Sequence, residues 1–257
     1  MEDVQYHIRC KKGDVADIVL LPGDPGRVPK IVAYMDKAHE VAYNREFLTY
    51  TGSYKGAQVS VTSTGIGCPS SAIAVEELAR IGAKIFIRVG TSGGMQPYMK
   101  TGDIGIATGA VRDEGTTRQY VPVEYPAIAD YRVVAALALA TRSLGFPHYI
   151  GIFHSKDSFY GEIDPRNQPV YESLRDRWKA WIRGNVLLSE MEAAVIFTVA
   201  SIRGLKAGAV CAIYKNGSKE NEGEKTKMDI IGIDRAIKVA LEAARILKTK
   251  KEIPIVV

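Results

Sequence analysis

The chain has 257 residues, a formal net charge of +5, 46% hydrophobic and 25% charged residues, a globular composition with length enough to bury a core. That balance excludes a disordered chain, a collagen-like repeat and a small disulfide-stapled scaffold. No apolar run reaches the roughly 18–20 residues that cross a bilayer, the start MEDVQYHIRCKKGD lacks the apolar core of a secretory signal, and Cys10, Cys68 and Cys211 read as buried thiols in a reducing cytoplasm.

Strands and helices alternate along the chain, which predicts an α/β fold. Ala16–Leu21 is an apolar strand running into the turn Pro22-Gly23-Asp24-Pro25-Gly26, and Val28–Met35 a short helix. Glu46–Tyr54 and Ala57–Thr62 flank Lys55-Gly56 as a hairpin. A glycine-bearing turn over Ser63–Pro69 leads to a helix capped by Ser70 or Ser71, running to Arg80 and leaving at Gly82. Lys84–Val89 is a buried-type strand ending in the loop Gly90-Thr91-Ser92-Gly93-Gly94, and Asp103–Thr108 is a third strand. Ala129–Leu144 follows as a helix, Tyr149–Phe153 as a strand, and Pro169–Arg183 as an amphipathic helix whose Trp178 and Trp181 are core or interface anchors. Glu190–Ile202 is a helix and Lys206–Tyr214 a strand. Asn216–Asp229, dense in Lys, Glu and Gly, reads as a solvated, mobile loop. Ile230–Leu247 closes the chain as an amphipathic helix with a basic end that suits its dipole. With no internal repeat, linker or composition break, residues 1–257 are expected to form one domain.

Two of these strands end in glycines beside an arginine, Gly23-Asp24-Pro25-Gly26-Arg27 and Arg88-Val89-Gly90-Thr91-Ser92-Gly93. Ligands of open α/β sheets bind beyond the carboxyl ends of strands. Glycine lets backbone N–H groups approach an anion, hydroxyls add donors, and arginine supplies a bidentate charge. Together the two segments would cradle a phosphate; singly, each is equally a tight turn with a surface arginine. Gly65-Ile66-Gly67-Cys68-Pro69-Ser70 is a partial dinucleotide fingerprint, with serine for the third glycine and Arg88, able to accept a 2′-phosphate, where an acid is expected. An NADP-dependent reductase is therefore one rival reading.

Asn44-Arg45-Glu46-Phe47 sets a charged pair beside an aromatic ring, a pattern that a surface salt bridge worth little gives equally. Glu190 and Glu192 open a predicted helix, where its dipole favours acids; two apart, only one should enter a given pocket. His7 lies near a disordered-looking start. Four scattered histidines without ligand spacing argue against zinc, and the absence of G-x-S-x-G against a serine hydrolase. A basic nucleic-acid-binding protein is the non-enzymatic rival, but the positive residues are dispersed and balanced by acids.

In combination, G-D-P-G-R, N-R-E-F, T-G-I-G-C-P-S, R-V-G-T-S-G, Y-P-A-I-A-D, K-D-S-F-Y and S-E-M-E-A-A stand in an order that resembles nucleoside phosphorylases of the uridine phosphorylase and hexameric purine nucleoside phosphorylase type. The likeness runs from about His7 to the final helix, and Y-P-A-I-A-D and K-D-S-F-Y look most like the uridine phosphorylase branch. It implies a mixed, twisted central sheet flanked by helices, and reversible phosphorolysis of a pyrimidine nucleoside, uridine first, to free base and ribose 1-phosphate. It implies phosphate on Gly23, Arg27, Arg88 and Thr91, joined by Arg45 of a neighbouring subunit, whose His7 meets the ribose 5′-hydroxyl. Glu192 would take the ribose 2′- and 3′-hydroxyls with Met191 packed on the sugar, and Phe159 would line the base pocket. Arg88, Glu192 and Arg166 are the candidate catalytic residues. Phosphate is then a co-substrate and no organic cofactor is implied, though Glu46, Ile66 and Ser70 match positions where relatives hold a monovalent cation such as K+ between subunits. The resemblance also implies a homo-oligomer, a hexamer built as a trimer of dimers, in the cytoplasm, with no nucleic-acid or membrane partner.

The chemistry of the residues agrees. Three arginines suit a dianion that stabilises and then captures the cationic sugar, and a carboxylate on the sugar hydroxyls holds C1′ in line. Two departures bear on the base. Purine members carry a proton-donating aspartate where this chain has Lys215, which argues against the alternative of a purine nucleoside or methylthioadenosine phosphorylase. Uridine phosphorylases show Gln-x-Arg after F-Y to read uracil; here Arg166 is the equivalent arginine and Gln168 a substitute for the displaced glutamine.

Overall fold

The computed structural model describes residues 3–216 and 228–250. Strands β1 (Ile18–Pro22), β2 (Lys37–Asn44), β3 (Phe47–Tyr54), β4 (Ala57–Thr62), β5 (Ile85–Gly94), β6 (Ile104–Asp113), β7 (Ala127–Ile128), β8 (His148–Lys156), β9 (Leu188–Glu190) and β10 (Lys206–Asn216) alternate with helices. These are α1 (Val28–Val32), α2 (Cys68–Arg80), α3 (Tyr131–Ser143), α4 (Phe159–Ile163), α5 (Tyr171–Arg183), α6 (Ala193–Ile202) and α7 (Met228–Thr249). The mixed sheet runs β10-β6-β8-β9-β5-β1-β4-β3-β2, with β7 on β6, as expected of the α/β class. One core lies under α2 and α6 and a second under α3 and α7, so both faces of the sheet are covered. Parallel β1 is accordingly buried along its whole length, which is why it reads as an unbroken apolar run. Among the described residues no helix is long and apolar enough to cross a membrane.

The feature that positions the site is a change of partner along β5. Its first half, Ile85–Val89, pairs with β1, while Gly93 and Gly94 pair with β9. On its other edge β5 keeps β10 throughout, and β10 also pairs with β6, closing β5-β10-β6-β8-β9 on itself. A crevice therefore opens past the carboxyl end of β1, where neighbouring strands part company.

Several boundaries differ from expectation for reasons of pairing. Gly90–Gly94 is not a loop: β10 hydrogen-bonds alongside it and keeps it extended. β2, absent from the sequence reading, is a largely exposed strand without apolar alternation, held by β3 alone. α1 opens at Val28 as expected, directly after a 3₁₀ turn at Pro25–Arg27 capped by the Asp24 side chain. It ends at Val32 rather than Met35, where the chain leaves through tighter turns from Tyr34 N–H to the Ile31 carbonyl and Met35 N–H to the Val32 carbonyl. Ser70 and Ser71 lie inside α2; Gly67 at φ +94° occupies its cap, and Pro69 follows in the first turn, where its missing N–H costs nothing. The hairpin at Lys55-Gly56 forms as expected, both residues having positive φ. Of the loop expected over Asn216–Asp229, residues 217–227 lie outside the described residues; Asn216 ends β10 and α7 starts at Met228.

Candidate active site

Arg88 sits on β5 and is only 4% exposed. A lone buried guanidinium would be prohibitive, and two carboxylates make it tenable. Nε lies 2.7 Å from Oε2 of Glu190, a close ion pair without hydrogen-bond alignment, and Nη2 pairs with Oε2 of Glu192. Burial opposes the charge of Arg88, but Glu192 and then Glu190 outweigh it and raise its pKa. Gly90 makes the room: a β-carbon there would lie 3.0 Å from Cζ of Arg88 and 2.8 Å from Sγ of Cys211.

The two acids are held from opposite sides. Glu190 ends β9, and its Oε2 accepts the N–H groups of Glu192 at 2.8 Å and Ala193 at 2.9 Å, while Oε1 accepts from the Ser155 hydroxyl. Ser155 in turn accepts the N–H of Ala194 at 2.9 Å, so both residues satisfy the opening turn of α6. Oε1 of Glu192 accepts the N–H of Gly67 at 2.7 Å. Burial raises the pKa of Glu192, against Arg88, which lowers it, and with Glu190, which raises it. The expectation that only one of these acids could enter a pocket fails, because neither lies within a helix: one ends a strand and the other is the helix cap.

Arg27 completes the centre. Its Nη1 donates to the carbonyl of Val89 at 3.0 Å; burial, then the charge of Arg88, lowers its pKa. Among the described residues it has no carboxylate within ion-pair distance. Gly23 is buried against Gly65, whose carbonyl would lie 3.1 Å from an added β-carbon. Met191 and Thr91 are half-buried in the segments that carry the acids and Arg88. The structure thus brings Gly23, Arg27, Arg88 and Glu192 together.

A second group of expected residues gathers at the β2–β3 turn instead. Arg45 is exposed, adopts φ +55° and makes no ion pair among the described residues. His7 is not on a disordered start: Nδ1 lies 2.6 Å from Glu77, whose carboxylate also accepts the N–H groups of His7 and Ile8, and Asn44 donates to the His7 carbonyl at 2.7 Å. Beside them Ser70 donates to Oε1 of Glu46 at 2.7 Å and to the Thr64 carbonyl, and Ile66 is 76% exposed.

At the far end Phe159 is half exposed on α4, edge-on to Tyr160. Arg166 is exposed on the turn after α4, and the Gln168 amide donates to the Asp164 carbonyl at 3.4 Å. Lys215 is exposed on β10. Sequence reasoning missed a buried polar chain here. Lys156 Nζ lies 2.8 Å from Oε2 of Glu162 and 2.9 Å from Oγ of Ser189, which donates to the same Oε2. His154 approaches Asp113 at 2.9 Å and Ser189 at 3.2 Å. Burial, then Lys156, pushes its pKa down to about 4; Asp113 is itself paired with Arg177 and does not reverse this. The available signal was H-S-K-D closing an apolar strand. Two hollows, about 660 Å3 beside Arg112 and Trp181 and about 700 Å3 beside Lys12 and Arg80, contain none of the candidate site residues.

The chain is similar to known proteins over nearly its whole length. A model described as phosphorylase superfamily matches residues 17–249. The uridine phosphorylase of Thermococcus kodakarensis is 52% identical over 248 residues, covering 96% of this chain and 87% of that one. The guanosine phosphorylase of Halorubrum lacusprofundi is 40% identical over 252 residues, covering 95% of this chain and 99% of that one. The crystal structure of uridine phosphorylase from Vibrio fischeri superposes with a TM-score of 0.84 at 34% identity, covering 94% of this chain and 97% of that chain.

Proposed function

The chain belongs to the phosphorylase superfamily, and from that premise we propose that it is a pentosyltransferase that reversibly phosphorolyses a pyrimidine nucleoside, converting uridine and phosphate to uracil and ribose 1-phosphate. The observation that carries this reading is the buried Arg88, locked between Glu190 and Glu192, beside an Arg27 that has no carboxylate partner among the described residues. Both carboxylates are taken up by Arg88, so Arg27 is left without an anionic partner among the described residues, and a phosphate dianion supplies one.

The reaction follows from that placement. Arg27 and Arg88, with the backbone at Gly23 and the hydroxyl of Thr91, hold the dianion beneath the sugar, and Arg45 of a neighbouring subunit closes it off. Glu192 takes the 2′- and 3′-hydroxyls, fixed by Gly67 and Arg88 so that it cannot swing away, and Met191 packs on the ring. As the glycosidic bond lengthens, positive charge grows on the sugar and negative charge on the base. The fixed phosphate stabilises that cation and then bonds C1′. His7 of the neighbouring subunit meets the 5′-hydroxyl, Phe159 lines the base end, and Arg166 and Gln168 act from the turn beyond it.

These shared residues make the enzyme at least a dimer, and a hexamer in its full form. Glu46, Ser70 and the Ile66 carbonyl offer hard oxygen donors, a chemistry that suits K+, and the Ser70–Glu46 contact keeps two of them together. The three cysteines are buried and unpaired, in keeping with the cytoplasm. A reductase is disfavoured because the Gly67 N–H, which a dinucleotide fingerprint would offer to a pyrophosphate, is spent on Glu192. A purine substrate is the second reading, favoured by the likeness to a guanosine phosphorylase. Base release from uridine, inosine and methylthioadenosine, each with and without phosphate, decides. Phosphate-dependent uracil release is expected; purine release alone would overturn the base assignment, and release without phosphate the reaction itself.

A further inference from the structure

The base end of the crevice holds a charged pair whose hydrogen-bonding capacity is not spent. Lys156 and Glu162 have side chains only 10% and 16% exposed. Lys156 Nζ uses two of its three N–H groups, on Glu162 and Ser189. Glu162 accepts both of its contacts through Oε2; Oε1 has no partner among the described residues. That free oxygen lies over Gly93, 3.2 Å from where a β-carbon would stand, so the absence of a side chain at Gly93 keeps its approach open. Thr91, two residues earlier on β5, shares the Gly93 side of the strand. Phe159, three residues before Glu162 on α4, shares its helical face, and Ser189 directly precedes Glu190, which holds Arg88. One unspent acceptor and one unspent donor, side by side and nearly buried, thus flank the aromatic wall.

We infer that Lys156 and Glu162 read the base edge, and that the edge they select is a lactam, a carbonyl next to a ring N–H. Oε1 of Glu162 accepts the ring N–H while the remaining Lys156 N–H donates to the adjacent carbonyl. Uracil carries that edge at N3–H and 6-oxopurines carry it at N1–H. Cytosine and adenine present a bare ring nitrogen beside an amino group, which sets acceptor against carboxylate and donor against ammonium. A nearly buried pair left unsatisfied is costly, so discrimination here is strong. The inference rests on the proposed phosphorolysis for the placement of the base, and it gives specificity to two residues that do not touch phosphate or sugar.

The test compares uridine with 3-methyluridine and inosine with 1-methylinosine, whose methyl groups replace the ring N–H. Binding is followed by calorimetry and kcat/KM by phosphate-dependent base release. The wild-type protein is expected to disfavour the methylated member of the preferred pair by about 100-fold. Glu162→Ala is expected to shrink that ratio to within about 3-fold while leaving the phosphate KM unchanged, and Lys156→Met to raise the nucleoside KM. The preferred pair names the base as uracil or 6-oxopurine, and either result supports lactam reading. Equal use of methylated and unmethylated nucleosides by the wild type, which needs no variant to fold, overturns it while leaving phosphorolysis intact. Selective binding without phosphate-dependent release would overturn phosphorolysis and leave edge reading standing.

Discussion

The Arg88 centre and the β2–β3 turn carry the same kind of residue in opposite circumstances. Arg88 is buried and held through Nε and Nη2 by two carboxylates of its own chain. Arg45 is exposed on a left-handed backbone and makes no ion pair among the described residues. The first arrangement is costly to disturb because every group depends on the others. The second spends backbone strain to present a guanidinium outward, the pattern expected where a residue serves something beyond its own chain.

Glu190→Ala should break the buried end hardest. It strips Arg88 of one partner and leaves two α6 N–H groups without their acceptor, so a loss of about 3–5 kcal/mol is expected in denaturant titration, with turnover abolished. The adjoining polar chain adds a pH dependence. His154 sits near pKa 4 in the fold against 6.5 when free. The unfolded chain therefore binds the extra proton between those values, and stability falls as pH drops from about 6.5 to 4, by at most about 3 kcal/mol. Urea midpoints of wild type and His154→Gln across that range check it; an equal slope in the variant would assign the loss to other groups.

Gly90→Ala sharpens the comparison at intermediate cost. The added carbon meets Arg88 and Cys211, so about 1–3 kcal/mol should be lost and the phosphate KM should rise as Arg88 is displaced. The smallest stability effect has the opposite sign. Arg45→Gly relieves a positive φ, so the protein should become more stable by about 1 kcal/mol while phosphate saturation disappears. Unchanged phosphate kinetics in that variant would remove Arg45 from the site.

The legible parts of the molecule were those set by local pattern. The apolar run of β1, the Lys55-Gly56 hairpin, the exit of α2 at Gly82 and the body of the helix expected over Ala129–Leu144, found at Tyr131–Ser143, each depend on nearest neighbours in the chain. The glycine and arginine segments at Gly23–Arg27 and Arg88–Gly93, which the fold brings side by side at the ends of β1 and β5, were legible for the same reason, since the chemistry proposed for them is written in residue type. β2 escaped because its exposed residues do not alternate, and Glu190 was assigned to a helix because nothing nearby reveals that Leu188–Glu190 forms a strand between β5 and β8.

By itself, then, the sequence determined the α/β class and the family likeness and nominated the residues proposed to handle phosphate and sugar, all properties of residue type and order. Tertiary structure alone decided that Glu190 and Glu192 converge on one arginine, that Gly67 spends its N–H on Glu192, and that Lys156, Glu162 and Ser189 meet nearly buried with hydrogen-bonding capacity to spare. The physical reason is that the strength of a charge pair depends on separation and burial. Both are set where β5 leaves β1 for β9, by contacts between segments far apart in the chain.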